Sequence, residues 1–239
     1  TASRWVMRHC EVPAEPAGYP HPHGSAGTSL YRSVFLPNAP ETKKAIPLTD
    51  KRVESAHGAL LVSPDGMAHF QQRGFTIDTV RRFKLGYQVH PQVGACVGYP
   101  VYADGKCWLI KWRTISGAKT FRREPEGGAS PLFNQDALKK YAEVILTEGE
   151  SDAIALIQAG YENVVGTILG AGSGKAPSVQ ELKRCKKVYI AYDPDDAGND
   201  GAEKVALAIG RHKCYRVKFP QGLDANDYLN FYGAEGFKG

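Results

Sequence analysis

From Glu143 onward, short apolar runs alternate with segments of helical spacing, and this rhythm constrains the fold more than any other feature of the chain. Val144-Ile145-Leu146, Val164–Leu169, Val188–Tyr192 and Tyr215–Phe219 read as four buried strands. Between them, Asp152–Gln158 (stopped by Gly160), Ser178–Arg184 and Ala202–Gly210 read as helices. Strands that alternate with helices predict a mostly parallel sheet, because each crossover must carry the chain back to the starting edge. Helices then cover both faces.

Such a sheet gathers functional residues at the carboxyl ends of its strands. In this chain those ends are acidic. The first strand runs into Thr147-Glu148-Gly149-Glu150-Ser151-Asp152, and the third into Asp193-Pro194-Asp195-Asp196-Ala197-Gly198. Leu223-Asp224-Ala225-Asn226-Asp227 follows the fourth. If the first and third strands are neighbours, Glu148 faces Asp193 and Asp195. Carboxylates that close repel one another, and a hard divalent cation relieves the repulsion. Asp196 and Glu150 read instead as cap or turn residues.

The upstream half has a different style. Residues 1–47 are rich in Pro, Gly and Ser and read as an extended lead-in, with a strand at Tyr31–Phe35. Thr49 or Asp50 caps a helix through Leu61, Pro64–Phe70 forms another, and Thr76 opens a third to Phe83 after the Arg73-Gly74-Phe75 break. From Leu85 the pattern turns to β. Val97–Tyr102 and Trp108–Thr114 flank an Asp104-Gly105 hairpin signal, and Ser116-Gly117 sets up a return through Lys119–Arg122. Three units result: a lead-in over 1–47, a basic α+β unit over 48–140 and an α/β unit over 141–239.

Charge follows the same division. Residues 1–142 hold 19 Lys/Arg against 11 Asp/Glu, whereas residues 143–239 hold 11 against 14. The sharpest basic stretch contains Lys106, Lys111, Arg113, Lys119, Arg122 and Arg123 with no acid between them, interleaved with Trp108, Trp112 and Phe121. Cations that neutralise phosphates, beside rings that stack on bases, suit a nucleic-acid track.

Several classes are excluded or disfavoured. No 18-residue apolar run exists, so no transmembrane helix and no membrane partner are expected. The first residues have no apolar core of a secretory signal, and the chain opens on Thr1 rather than Met, as a fragment or processed chain would. Five scattered cysteines (Cys10, Cys96, Cys107, Cys185 and Cys214) make no disulfide framework and point to a reducing compartment. His9, Cys10, His21 and His23 cluster, but they read as part of a polar, Pro-rich loop rather than a zinc site. Gly170-Ala171-Gly172-Ser173-Gly174-Lys175-Ala176 imitates a phosphate loop. The required spacing puts Leu169 at the first glycine and Ala176 at the Ser/Thr, so no ATPase is expected.

The acidic motifs carry a resemblance. E-G-x-x-D (Glu148 to Asp152) followed about forty residues later by D-x-D-x-x-G (Asp193 to Gly198) resembles the TOPRIM domain shared by primases, topoisomerases and some nucleases. Upstream, Gln72-Arg73-Gly74-Phe75-Thr76, Phe83-Lys84-Leu85-Gly86-Tyr87, Tyr99-Pro100-Val101-Tyr102, Lys111-Trp112-Arg113 and Lys119-Thr120-Phe121-Arg122 are similar to the catalytic core of DnaG-type primases. The likeness spans roughly residues 49–230 and looks closest to the primase part of phage or plasmid primase–helicases.

The resemblance implies roles. Glu148, Asp193 and Asp195 match the family's catalytic acids. Those three with Asp152 and Asp224 match its metal positions for Mg2+ or Mn2+. Lys111, Arg113, Lys119, Arg122 and Arg123 fall on the basic stretch that would hold nucleotide or DNA. Implied partners are single-stranded DNA, NTPs and a replicative helicase, in trans or on a longer chain, in the cytoplasm of a bacterial or phage-infected cell. The implied reaction is synthesis of short RNA primers. A metal-dependent nuclease and a non-catalytic DNA-binding module of a replicative primase–helicase remain alternatives. A serine hydrolase is a weaker one. Gly149-Glu150-Ser151-Asp152-Ala153 approaches the nucleophile elbow with Ser151, Asp193 and His212 in hydrolase order, but Ala153 replaces the last glycine.

Overall fold

The computed structural model describes residues 9–11, 46–126, 130–168 and 179–238. Two sheets organise it. The first is antiparallel, in the order β2 (Gly86–His90), β3 (Gly94–Ala103), β4 (Lys106–Thr114), β5 (Phe121–Glu124). The second contains β6 (Glu143–Thr147), β7 (Val164–Gly166), β8 (Lys187–Ala191) and β9 (Cys214–Val217), all parallel where they pair. β1 (Cys10–Glu11) adds an antiparallel edge, giving the order β1-β9-β8-β6-β7.

Three helices precede the first sheet: α1 (Asp50–Leu61), α2 (Pro64–Gln72) and α3 (Ile77–Arg82). Each starts where a hydroxyl side chain accepts a backbone N–H of the first turn. Thr49 accepts from Arg52, Ser63 from Gly66 and Thr76 from Thr79. The β3–β4 turn is Asp104-Gly105, with φ of 54° and 70°. Two positive φ values in a two-residue hairpin match the right-handed twist of the strands.

The antiparallel sheet uses its two faces differently, as strand alternation requires. Trp112 and Ile110 pack with Val53 and Ala56 of α1. On the other face, Val97, Tyr99, Val101 and Leu109 join the same buried cluster as Ile145 of β6 and Ala153, Ile154 and Leu156 of α4 (Glu150–Gln158). The two sheets therefore share one core.

The parallel sheet also alternates. Ile145 and Tyr189 face α4 and α6 (Ala225–Tyr232). Val144, Leu146, Val188 and Ile190 face α5 (Asp196–Ile209) and a 3-10 turn at Gln180–Arg184. Helices thus cover both faces, as the strand rhythm predicts.

Differences from the sequence reading are local. The expected helix at Ser178–Arg184 is a 3-10 turn over its described part, α5 starts at Asp196 rather than Ala202, and β7 ends at Gly166. Strand β2 and helix α6 are additional. Leu132, Ala137 and Leu138 pack with the second sheet's core, and Phe133 bridges to Gly166 of β7. The expected strand at Tyr31–Phe35 and the Gly170–Ala176 segment lie outside the described residues. Among the described residues no helix is long and apolar enough to cross a membrane.

Candidate active site

Parallel pairing of β6 with β8 sets Thr147 opposite Ala191. Glu148 and Asp193 therefore leave the sheet at the same edge. The β6 end is fixed by hydroxyls: Thr147 Oγ1 donates to Gly149 O at 2.9 Å, and Thr167 Oγ1 donates to Glu148 O at 2.7 Å. Asp152 follows in the first turn of α4, where its Oδ1 accepts the Asn226 N–H at 3.3 Å. Asp224 caps α6 by accepting from Asp227 N at 2.6 Å.

These carboxyls crowd one another. Burial first, then Glu148, Asp224 and Asp195, push the Asp193 carboxyl up to about 6. Asp152 lies well above the usual carboxylate range, through burial and the charges of Asp224 and Asp193. Asp224 is raised too, chiefly by burial. The N-termini of α4, α5 and α6 follow the ends of β6, β8 and β9, and their partial positive charges favour anions there.

A basic wall faces this acidic one. Register explains it: Tyr99 pairs with Lys111, Lys111 with Arg123, and Arg113 with Phe121. All five side chains project from one face of the sheet, together with Lys119 from the β4–β5 loop and Arg73 from the end of α2. They line a cleft of about 390 Å³ whose opposite side carries Glu148, Asp152, Asp193 and Asp224. Phe121 is 49% exposed, with the Lys111 and Lys119 ammonium groups 4.9 and 5.4 Å from its ring centre. Arg113 Nε is buried with no hydrogen-bond partner among the described residues. An unsatisfied guanidinium N–H on a cleft wall is a ready donor for an incoming anion.

Other residues from the sequence reading lie elsewhere. Arg122 pairs with Trp112 in register, on the face opposite the cleft, and bonds Gln92 and Glu126. Trp112 is a core residue, 2% exposed, its indole N–H bonded to Glu124 at 2.9 Å, and the Trp108 indole is tied to Ala103 O. Of the three aromatics, Phe121 alone lines the cleft.

Glu150 is not a turn residue. Its carboxylate is buried and accepts from Lys111 Nζ at 2.8 Å, with side chains 6% and 12% exposed. Lys111 therefore reaches the cleft with its charge already engaged. Asp195 stands beside Asp193 but caps α5, accepting from Gly198 N at 2.7 Å. The helix-cap role expected of Asp196 belongs to Asp195.

Ser151 Oγ donates to the Tyr99 hydroxyl at 3.2 Å, and among the described residues no histidine lines the cleft, so these residues assemble no nucleophile elbow. In the sequence Arg73 belongs to a helix break and to the Gln72–Thr76 segment of the resemblance, with no site role attached. The structure puts it in the cleft, held by a bond to Asn226 Oδ1 at 3.1 Å. His21 and His23 lie outside the described residues.

Among the described residues no three His, Cys, Asp or Glu side chains converge as a ready ligand set. The donors nevertheless suit a hard divalent ion. All are carboxylates, and their mutual repulsion marks missing positive charge. Mg2+ typically keeps several waters and takes one or two protein carboxylates plus phosphate oxygens, so a closed cage is not required.

Comparison with known proteins bears on this arrangement. A family model described as Toprim-like matches residues 145–229. Over 187 residues the chain is 38% identical to the DNA primase of Lactococcus lactis, covering 74% of this chain and 27% of that protein. It is 34% identical over 186 residues to the Twinkle homolog protein, chloroplastic/mitochondrial, of Arabidopsis thaliana, covering 67% and 25%. The chain thus spans about a quarter of the length of these relatives. The crystal structure of the zinc-binding and RNA polymerase domains of the Aquifex aeolicus primase superposes with a TM-score of 0.64 at 21% identity, covering 79% of this chain and 58% of that one.

Proposed function

The chain belongs to the DnaG-type primase family and carries its TOPRIM domain, and on that premise we propose that it is a primase catalytic core that joins nucleotides into short RNA primers on single-stranded DNA. The observation that carries the reading is the pairing of an acidic wall with a basic wall across one cleft. The basic unit over 48–140 supplies one wall, and the TOPRIM unit over 141–239 supplies the other.

TOPRIM primases use divalent metal in general. In this chain Glu148 and Asp193 would hold Mg2+ or Mn2+, with Asp195, Asp152 and Asp224 around them. When bound, the ion supplies neutralising charge and lowers the pKa of a coordinated hydroxyl. The protein's own contribution is positioning, which dominates phosphoryl transfer. Arg113, Arg123 and Lys119 bind triphosphate oxygens of an incoming NTP or phosphates of the template. Phe121 offers a face on which a base stacks. Arg73 supplies a further cation next to Asp224 and Asp152. Lys111, committed to Glu150, holds the two walls in register. The partners are single-stranded DNA, NTPs and a replicative helicase, in trans or on a longer chain.

The test is template-directed synthesis on mixed-sequence single-stranded DNA with all four NTPs and Mg2+ or Mn2+. Short labelled oligonucleotides that disappear with EDTA and in Asp193→Asn/Asp195→Asn are expected. Undiminished synthesis by that double variant would refute the assignment of the acids. A shortened template without nucleotide incorporation would identify a nuclease instead.

A further inference from the structure

Arg216 lies outside the cleft and yet is among the most heavily bonded side chains in the protein. It sits on β9 opposite Ile190 of β8. Its guanidinium reaches over the end of β8 and donates to a row of main-chain oxygens. Nη1 donates to Tyr192 O at 2.8 Å, Ile190 O at 3.2 Å and Val217 O at 3.3 Å. Nη2 donates to Asp193 O at 2.8 Å and to Asn199 Oδ1 on α5 at 3.1 Å. Among the described residues no carboxylate bonds it directly. A half-buried cation held on carbonyls forgoes solvation it would have at the surface, and contacts to five oxygens, with one N–H of Nη1 shared between two of them, are what offset that cost.

The bonds converge on one short stretch. Tyr192 and Asp193 are the first two residues after β8, where the strand ladder no longer holds the backbone. The Asp193 carbonyl is also confined from a second side. A Cβ on Gly198 would lie 2.2 Å from Asp193 O, so the first turn of α5 rests directly on that carbonyl. Arg216 and Gly198 thus clamp the peptide whose side chain is the central acid of the cluster.

We propose that Arg216 is a positioning residue: its guanidinium fork fixes the main chain at Tyr192 and Asp193, and so aims the Asp193 carboxylate into the cleft. The inference rests on the reading of Asp193 as a metal-holding acid. Arginine is required by shape. A planar fork spans several carbonyls at once, whereas a lysine ammonium is a single point of charge. Arg216 also places a positive charge behind Asp193 and Glu148. Lysine keeps that charge and loses the fork, so Arg216→Lys isolates the positioning role.

The experiment titrates the free protein with Mn2+ alone, followed by electron paramagnetic resonance, with thermal unfolding recorded for each variant in EDTA. Arg216→Lys is expected to fold and to bind Mn2+ about 10–100-fold more weakly, the usual cost of losing an outer partner of a metal ligand. Asn199→Ala, an exposed change that removes one contact of the fork, is expected to weaken Mn2+ several-fold. A purely structural role would lower the unfolding temperature and leave the Mn2+ affinity of the folded protein unchanged, and that result overturns the inference. Should Arg216→Lys fail to fold, unchanged Mn2+ affinity in Asn199→Ala overturns it equally. Asp193→Asn is the control. If it leaves Mn2+ binding intact, the reading of Asp193 as a metal holder fails first, and the inference falls with it.

Discussion

Lys111 on β4 and Glu150 at the start of α4 form a buried ion pair across the junction of the two sheets. It ties the basic wall of the cleft to the segment that carries Glu148. Removing one partner strands the other charge in the interior, which typically costs about 3–5 kcal/mol. Glu150→Gln and Lys111→Met are each expected to lose stability on that scale in urea unfolding. The double variant is expected to lose much less than the two combined, because no lone charge remains. Additive losses would show that the pair does not act as a unit.

The stability that the Asp193 carboxyl contributes to the metal-free protein should fall as pH rises from acid to neutral. The difference between the parent and Asp193→Asn isolates it from His69, which burial pushes down to about 4 and which works in the opposite direction in both proteins. The Asp193 carboxyl sits at about 6 in the folded protein, above its ordinary value near 4 in an unfolded chain. A group raised by folding contributes stability that is complete below its unfolded pKa and lost as pH climbs through its folded one. The window is therefore about pH 4 to 6, and the loss is on the order of 1–3 kcal/mol. Asp152 and Asp224 are shifted in the same direction and steepen the slope. Thermal unfolding in EDTA from pH 4 to 8 checks this. Asp193→Asn should gain stability relative to the parent as pH rises through that window and be the more stable protein at pH 7; a difference that does not change with pH would contradict the shift.

Neighbouring arginines on β5 should behave differently. Arg123 lines the cleft and Arg122 faces the α1 side. Loss of a charge-assisted hydrogen bond, worth about 1.5–3 kcal/mol, weakens binding about tenfold or more. Arg123→Ala is expected to raise the Kd for nucleoside triphosphate or single-stranded DNA on that scale, with a shallower salt dependence for DNA. Arg122→Ala should stay close to the parent in the same fluorescence titration. Equal losses would mean that the two faces of the strand do not differ in function.

Gly198→Ala should damage the acidic wall without touching an acid. The new methyl would collide with the Asp193 carbonyl, which is main chain and cannot swing aside. Overpacking of this kind typically costs about 1–3 kcal/mol. Reduced unfolding temperature together with weakened Mn2+ binding is the expected pair of results. A variant equal to the parent in both would show that the loop has room to yield.

Much of the architecture could be read from residue pattern, since apolar runs, Asp104-Gly105 and the Thr49 and Thr76 caps are local signals. The acids were legible for a related reason, because strand ends are where such a sheet collects chemistry. What depended on tertiary contact was not. Glu150 looks like any first-turn acid until β4 brings Lys111 to it. Arg73 follows a helix end, and only the docking of α2 beside α6 brings it to the cleft. Trp112 sits within a basic run but faces α1. Arg122 and Arg123 are adjacent on a strand, and successive side chains point to opposite faces, so only one of the two can face a given cleft. Helix α6 also had a readable start, with Asp224 as cap and Asp227 three residues on.

The in-register pairing of Thr147 with Ala191 makes the parallel sheet a ruler for the acids. Glu148 and Asp193 are marks on two adjoining scales, and the hydrogen-bond ladder sets their separation. The chain between them departs through α4, crosses β7 and returns by the turn at Gln180–Arg184, but the length of that detour enters nowhere into the distance. Loop growth on the detour leaves the marks where they are. A slip of β8 by one residue would move one mark along and turn its side chains to the opposite face, so the spacing of the site is inherited from the sheet and not from the path that joins its halves.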